Sequence, residues 1–280
     1  VIDKDDMARA VTTALEEDLR YGPDATTEAT VAASAVAVAE FTPRRPGVVA
    51  GVPVALEVLR RVVLDLVVES CVEDGSAVVP GKPVLVVRGN TRQLLTAERT
   101  ALNFLCHLSG IATTTSAWVS AVADTGAQIR DSRKTLPGLR LLEKYAVRCG
   151  GGINHRLGLG DAILIKDNHV VAAGSVTAAL AAARAHAPHL SVEVEVDTLD
   201  QLDEALAAEA ELVLLDNFTI PNCVEAVRRA TGTQTHLEAS GGLTLPTAPT
   251  YAATGVDYLA VGGLTHSAPA LDLGMDLRTG

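Results

Sequence analysis

The stretch LSVEVEVDTLDQLDEALAAEAELVLLDN (190–217) reads as strand, helix, strand. Its two apolar runs are short enough to be buried strands, and each ends on an acid, Asp197 in the first and Asp216 in the second. Between them, residues 200–210 open with Asp200 and continue in Ala, Leu and Glu, the pattern of a capped helix. Two strands joined through a helix lie parallel. The same grammar recurs in AQIRDSRK (127–134), AILIKDNH (162–169), THLEASGG (235–242) and DYLAVGG (257–263), with helical segments at 138–149, 175–187, 221–230 and 246–254. A buried strand that stops at a functional group, followed by a helix and then repeated, describes a parallel α/β barrel. In such barrels the active site is assembled at the carboxyl ends of the strands. Six strands are legible rather than eight, so a seventh is short or the barrel is incomplete.

The first third follows another rhythm. Residues 3–19 have the pattern of a capped amphipathic helix. Strand-like runs at 35–41, 64–69 and 84–88 are separated by Pro46-Gly47, Asp74-Gly75 and Pro80-Gly81, which predicts a small antiparallel sheet with a helix near 53–61 across one face. A long helical stretch runs from 91 to about 123, with an interruption expected near Ser109-Gly110. The tail beyond Thr265 is expected to return to this first domain.

With 48% hydrophobic but only 3% aromatic residues, Ala, Val and Leu must build the core. A formal charge of −11 argues against a protein that coats nucleic acid or anionic membrane. That charge is uneven. Residues 130–170 hold eight basic and four acidic side chains, whereas residues 171–280 hold four basic and 14 acidic. A basic island inside an acidic protein suits a small anion. Cys71, Cys106, Cys149 and Cys223 form no CxxC pair and have no His partner at zinc spacing, so four reduced, mostly buried thiols are expected. The charged start, with Asp3, Lys4, Asp5 and Asp6, lacks the apolar stretch of a secretory signal. The most apolar early run, 31–39, is far short of the about 20 residues that span a bilayer. A cytoplasmic protein is expected, with no nucleic-acid or membrane partner.

The strand ends carry the chemistry. Asp131-Ser132-Arg133-Lys134-Thr135 places two cations beside small hydroxyls. Gly150-Gly151-Gly152-Ile153-Asn154-His155-Arg156 brings another cation and an imidazole behind three glycines, the composition of a loop whose backbone approaches a ligand closely. Together Arg133, His155, Arg156 and Lys166 can hold a substrate with more than one carboxylate, because guanidinium forks suit planar carboxylates. Opposite in sign stand Glu195 and Asp216. Strict alternation in Val192-Glu193-Val194-Glu195-Val196 puts Glu193 and Glu195 on one face. Glu195 and Asp216 suit a magnesium ion, sugar hydroxyls or developing positive charge, unless a neighbouring Lys such as Lys166 simply neutralises them. Ser240-Gly241-Gly242 and Gly262-Gly263 end successive late strands, where barrel loops often bind phosphate through backbone N–H groups.

These residues, in this order, resemble the quinolinate phosphoribosyltransferase family, the carboxylating nicotinate-nucleotide pyrophosphorylases. The resemblance runs through AERTALNFLCHLSGIAT (97–113), DSRKTLPGLRLLEKYAVRCGGGINHRLGLGDAILIKDNH (131–169), EVEVD (193–197), LLDN (214–217), EASGG (238–242) and GLTHS (263–267). It implies an α/β fold: an N-terminal α/β open sandwich with an antiparallel sheet, over 1–108 with the tail 266–280, joined to an incomplete, about seven-stranded parallel α/β barrel over 109–265. It implies a glycosyltransferase of NAD biosynthesis that moves phosphoribosyl from PRPP to quinolinate, giving nicotinate mononucleotide, pyrophosphate and CO2. Position by position, Arg133, His155, Arg156 and Lys166 fall where the family binds the two substrate carboxylates. Ser132 lies in the same loop, where Thr is more usual. Lys134, Ser240, Gly241, Gly242, Val261, Gly262 and Gly263 match PRPP-binding positions. Glu195 and Asp216 match carboxylates near the ribose and the Mg2+ cofactor, which they hold directly, through water or through PRPP. Lys134, Lys166, Glu195 and Asp216 are the implied catalytic set. The family forms homodimers or higher even oligomers, and Arg99 falls where an arginine reaches into the neighbouring subunit's site.

Three other readings compete with that reaction: a relative of the same fold acting on nicotinate, a Schiff-base aldolase with Lys166 as nucleophile, and a noncatalytic ligand-binding barrel.

Overall fold

A computed structural model of the chain describes residues 2–279. In chain order the elements are α1 (Lys4–Asp18), α2 (Ala25–Thr30), β1 (Val36–Pro43), β2 (Gly47–Val48), α3 (Val52–Val62), β3 (Val67–Cys71), β4 (Ala77–Val78), β5 (Leu85–Asn90), α4 (Thr91–Ala121), β6 (Gln128–Arg130), α5 (Arg140–Cys149) and β7 (Ile163–Ile165). They continue as α6 (Asp167–Ala173), α7 (Val176–His186), β8 (Val192–Val196), α8 (Leu199–Ala207), β9 (Leu212–Asp216), α9 (Ile220–Ala230), β10 (His236–Ser240), α10 (Ala248–Ala252), β11 (Tyr258–Ala260), α11 (Gly263–His266) and β12 (Leu273–Thr279). Two compact units result. One comprises residues 2–116, 135–151 and 264–279; the other comprises Ala117–Lys134 and Gly152–Gly263.

In the first unit an antiparallel sheet has the order β12-β1-β5-β3, beside a two-stranded β2-β4 ladder. Alternation along β1 buries Ala37, Ala39 and Phe41, the apolar side of a half-covered sheet. The carboxyl-terminal strand β12 pairs with β1 along its length, Ala39 facing Leu277 and Phe41 facing Met275. Helix α3 starts at Gly51, whose φ of +96° needs glycine. The Gly51 and Val52 N–H groups donate to the Asp74 carboxylate at 2.8 and 3.0 Å, and the Tyr145 hydroxyl donates to the same group at 2.8 Å. Asp74 thus caps α3 and anchors α5.

Two sequence expectations for this unit change. Helix α4 runs unbroken through Ser109-Gly110. Gly110 is there for space: a Cβ would lie 2.2 Å from the Pro269 carbonyl oxygen and 2.8 Å from Ala270 Cα, so the returning tail packs directly on the helix backbone. The triple glycine also serves packing. Gly150 caps α5, and a Cβ there would meet the Ala112 carbonyl oxygen at 2.4 Å, while Gly151 takes a φ of +89° just beyond the helix.

In the second unit, six parallel strands have the order β6-β11-β10-β9-β8-β7. The seventh strand shrinks to one parallel bridge, Arg130 to Ile153, beside β6. Among the described residues no ladder joins β7 to β6, so the barrel is incomplete. The strands read as apolar runs because alternate residues such as Val194, Val196, Val213, Leu215, Leu237 and Ala239 are buried on the side away from the lumen. Helix α7 packs on β7 and β8, and α10 on β11. Helix α8 is capped by Thr198, not by Asp200, which lies in the first turn. A short helix, α6, was not legible in the sequence.

None of the cysteines is disulfide-bonded; Cys223 is buried, Cys106 and Cys149 are half-buried, and Cys71 is exposed, fewer buried thiols than expected. Burial pushes the Cys106, Cys149 and Cys223 thiols up, away from thiolate reactivity. No helix among the described residues is long and apolar enough to cross a membrane.

Replacing a mid-helix Gly by Ala ordinarily stabilises by about 0.5–1 kcal/mol. Gly110→Ala is expected to do the opposite, costing about 1–3 kcal/mol through overpacking against the tail. Urea unfolding with an unchanged m-value checks this; a stabilised variant would mean the tail yields freely.

Candidate active site

Strand register sorts the lumen into two levels. At the carboxyl ends, Asp216 of β9 pairs with Ser240 of β10, which pairs with Ala260 of β11, itself paired with Arg130 of β6. One step lower, Glu195 and Glu238 both sit level with Leu214. Paired residues in a parallel ladder share a face, so Glu193, Glu195, Asp216, Glu238, Ser240 and Arg130 all turn inward.

Both levels border a cavity of about 640 Å3, with Leu214 and Glu238 at its floor. Around it lie Ser132, Arg133 and Lys134 after β6, His155 and Arg156 beyond the Ile153 bridge, and Lys166 after β7. Glu195, Asp216, Ser240, Gly241, Gly242 and Gly262 complete the rim. Val261 is not among the lining residues: it is buried, and its N–H donates to the Arg130 carbonyl at 2.9 Å. Gly263 opens α11. Arg99 belongs to the first unit, on α4, where it borders a smaller cavity of about 260 Å3 with Glu17, Asp18 and His107.

Individual contacts explain the placement. Ser132 Oγ accepts from the Lys134 N–H at 3.1 Å, tightening the loop after β6. Lys166 Nζ lies 3.1 Å from Glu195 Oε2, so the acid is neutralised by a neighbouring lysine and yet stays at the cavity. That lysine side chain is 49% exposed, which leaves the pair weak and exchangeable. Burial first, and then the Arg133 guanidinium nearby, hold Arg156 below its ordinary range. Arg156 Nε is buried and makes no hydrogen bond. Two guanidiniums close enough to oppose each other's charge suit an anion between them.

Asn217 was missed in the sequence. Its backbone is left-handed (φ +53°), its Nδ2 donates to Asp216 Oδ2 at 2.7 Å, and its N–H donates to the Ser240 carbonyl at 2.9 Å. Gly241 follows with φ +91°, where a Cβ would fall 2.2 Å from Asn217 Oδ1. The LDN and SGG signatures are therefore one structural lock between the ends of β9 and β10.

Below the rim lies a buried polar layer that sequence reasoning noted only in part. Asp131 accepts from the His155 N–H at 2.7 Å and from Asn154 Nδ2 at 2.6 Å. The Arg156 N–H donates to His155 Nδ1 at 2.7 Å, so the ring proton sits on Nε2, 2.7 Å from Glu193 Oε2. Arg130 is ion-paired with Glu238 Oε2, and its guanidinium lies 4.9 Å over the Tyr258 ring. Burial, and then the Glu193 carboxylate, push the Glu238 carboxyl up to about 8 against the pull of Arg130. His155, Glu193 and Glu238 stand close enough to suggest a metal site, within 4.8 Å of one another. The His155 geometry argues otherwise, because Nε2 is already the donor to Glu193 and Nδ1 already an acceptor.

Cations on a rim of parallel strand ends, above acids that are themselves compensated, define an α/β-barrel enzyme acting on anionic substrates. Comparison with known proteins narrows the class. Residues 24–109 and 111–276 match the N-terminal and C-terminal domains of quinolinate phosphoribosyl transferase. A nicotinate-nucleotide pyrophosphorylase [carboxylating] of Mycobacterium leprae is 60% identical over 277 residues, covering 97% of this chain and 98% of that protein. The crystal structure of NadC from Streptococcus pyogenes is 40% identical with a TM-score of 0.94, covering 99% of this chain and 98% of that one. The nicotinate-nucleotide pyrophosphorylase from Francisella tularensis is 38% identical with a TM-score of 0.95, at the same coverage. The chain belongs to the quinolinate phosphoribosyl transferase family.

A carboxyl raised from 4.5 to about 8 on folding favours the folded state while it is protonated. That contribution is complete below about pH 4.5 and is lost as pH rises through about 8. Glu238→Gln, which cannot ionise, is expected to show a shallower fall in unfolding free energy from about pH 5 to about pH 8 than the parent protein, measured by urea unfolding. Parallel curves would show that Glu238 is ionised in the fold.

Proposed function

We propose that the chain catalyses quinolinate + PRPP → nicotinate mononucleotide + pyrophosphate + CO2, the phosphoribosyl transfer of de novo NAD biosynthesis, in the cytoplasm. The observation that carries the reading is one cavity bordered by Arg133, His155, Arg156 and Lys166 together with Glu195 and Asp216. A pyridine with adjacent carboxylates matches the cations, and an activated sugar matches the acids.

Arg133, Arg156 and Lys166 hold the two carboxylates, with His155 beneath them. Lys134, Ser240 and the backbone of Gly241, Gly242 and Gly262 hold the phosphates of PRPP. Glu195 and Asp216 face the positive charge that develops at ribose C1 as pyrophosphate leaves. They also fit Mg2+, directly, through water or through PRPP. Both offer hard oxygen donors from adjacent strands, Asp216 is oriented by Asn217, and Mg2+ is characteristically held by one or two carboxylates plus substrate phosphates. When bound, the ion neutralises charge on the leaving pyrophosphate. Lys134 adds a cation on the same side. Approach of the ring nitrogen to C1 is then a matter of orientation, which the paired carboxylate clamps impose.

Alkylation leaves the nitrogen permanently positive beside C2. That charge stabilises the electron pair left when the 2-carboxylate departs, so decarboxylation needs no separate cofactor. Nicotinate lacks the second carboxylate and would leave a desolvated guanidinium unpaired, which selects against it. The active form is a homodimer or higher even oligomer, in which the partner subunit's Arg99 completes the cationic clamp.

Incubation with PRPP, Mg2+ and carboxyl-labelled quinolinate tests the reaction through released CO2; a preference for nicotinate would sink it. Arg133→Ala and Arg156→Ala are each expected to weaken quinolinate about 10–100-fold, the worth of one charge-assisted contact. Arg99→Ala alone is expected to be inactive, and activity should partly return in heterodimers with Lys134→Ala. No recovery after subunit exchange would mean that each site is built from a single chain.

A further inference from the structure

Loss of CO2 leaves an electron pair on C2 that must be closed by a proton, and most groups around the cavity are poor sources. Guanidiniums do not give up protons at physiological pH. Glu195 and Asp216 are already engaged, Glu195 with Lys166 Nζ and Asp216 with Asn217 Nδ2. His155 carries its ring proton on Nε2, aimed at Glu193, and losing it would leave an imidazolate. Glu238 differs from all of these. It lines the same cavity from β10, its Oε2 is held by Arg130, and its Oε1 is buried without a hydrogen-bond partner.

We infer that Glu238 is the acid that protonates C2 after decarboxylation, an inference that rests on the reaction proposed above. The C2–carboxyl bond breaks and its electrons stay on C2. CO2 leaves, and the proton on Glu238 Oε1 moves to that pair to form C2–H. Glu238 is left as a carboxylate opposite Arg130 and takes a new proton from water once product departs.

The surroundings fit a carboxyl that is neutral before this step and can bear charge after it. Facing it are Glu193 from β8, Arg130 from β6, Asp131 beyond β6, His155 beyond the bridge and Tyr258 from β11, while β9 places Leu214 level with it and Asp216 one pleat above, and Glu195 lies at the same level beyond Leu214. Glu193 opposes a second negative charge in the resting state, and burial reinforces it. Arg130 is already in place to receive the charge when the proton leaves.

The test is single-turnover formation of nicotinate mononucleotide with labelled quinolinate. Glu238→Gln is expected to slow product formation about 100-fold or more, the usual scale for loss of a general acid. Quinolinate binding by titration calorimetry should change far less than the rate, and Glu238→Asp should recover part of it. In the parent protein the rate should fall on the alkaline side with a midpoint near pH 8, and that limb should vanish in Glu238→Gln. Unimpaired turnover in Glu238→Gln overturns the inference, as does weakened binding in proportion to rate, which would mark a structural role. If the variants do not fold, the parent protein decides alone: a rate flat from neutral pH to about pH 9 also overturns it. No CO2 from the parent protein would overturn the proposed reaction itself, whereas CO2 release with an indifferent Glu238 overturns only this step.

Discussion

Two carboxylates, Glu193 and Glu238, are buried in the lumen of the barrel, and the fold tolerates them because His155 and Arg130 stand against them. Interiors of β/α barrels are ordinarily filled by branched aliphatic side chains. A buried ion pair is usually no more stable than such a filling, while removal of one partner costs about 3–5 kcal/mol. The buried polar layer is therefore a poor device for stability. Its worth lies in direction: each member fixes the orientation of the next, from Asp131 to the His155 backbone, and from the His155 ring to Glu193 and the Arg156 N–H. Arg156, at the rim, inherits its position from this chain of contacts.

That dependence explains which parts of the site were legible in the sequence. Strand ends such as LLDN and EASGG announce themselves because a hydrophobic run stops at polar residues. So does the basic island, because charge is countable. Glu193 and Glu238 are harder. Both lie inside apolar runs, and periodicity places Glu193 on the face of Glu195 without saying what lies across the lumen. Their partners come from Arg130, 108 residues away from Glu238, and from His155, far earlier in the chain than Glu193. No local pattern encodes such a pairing. Asn217 was missed for another reason: its role depends on a left-handed backbone and on the absence of a Cβ at Gly241, and neither fact is visible until the two strand ends are side by side.

Glycine shows the same limit. The run at 150–152 has the composition of a ligand loop, but Gly150 is spent on clearance for α4 and Gly151 on leaving α5. Gly110 looks like a helix breaker and is instead the point where the tail crosses a continuous helix. In each case composition correctly signals a close approach. What approaches is a backbone brought there by tertiary structure, and helical geometry tolerates it because packing offsets the modest propensity cost of about 1 kcal/mol.

The lumen also suits a reaction with two electrostatic demands. Transfer of a sugar calls for carboxylates next to a growing positive charge; in this lumen Glu195 sits beside an exposed ammonium and Asp216 is held by an amide. Loss of CO2 needs the reverse, a place where negative charge on carbon can be closed by a proton. Glu238, two residues below the strand end that carries Ser240, is buried and faces a second carboxylate, so it favours its neutral form. Environment rather than residue type thereby sets what a carboxyl group in this lumen can do.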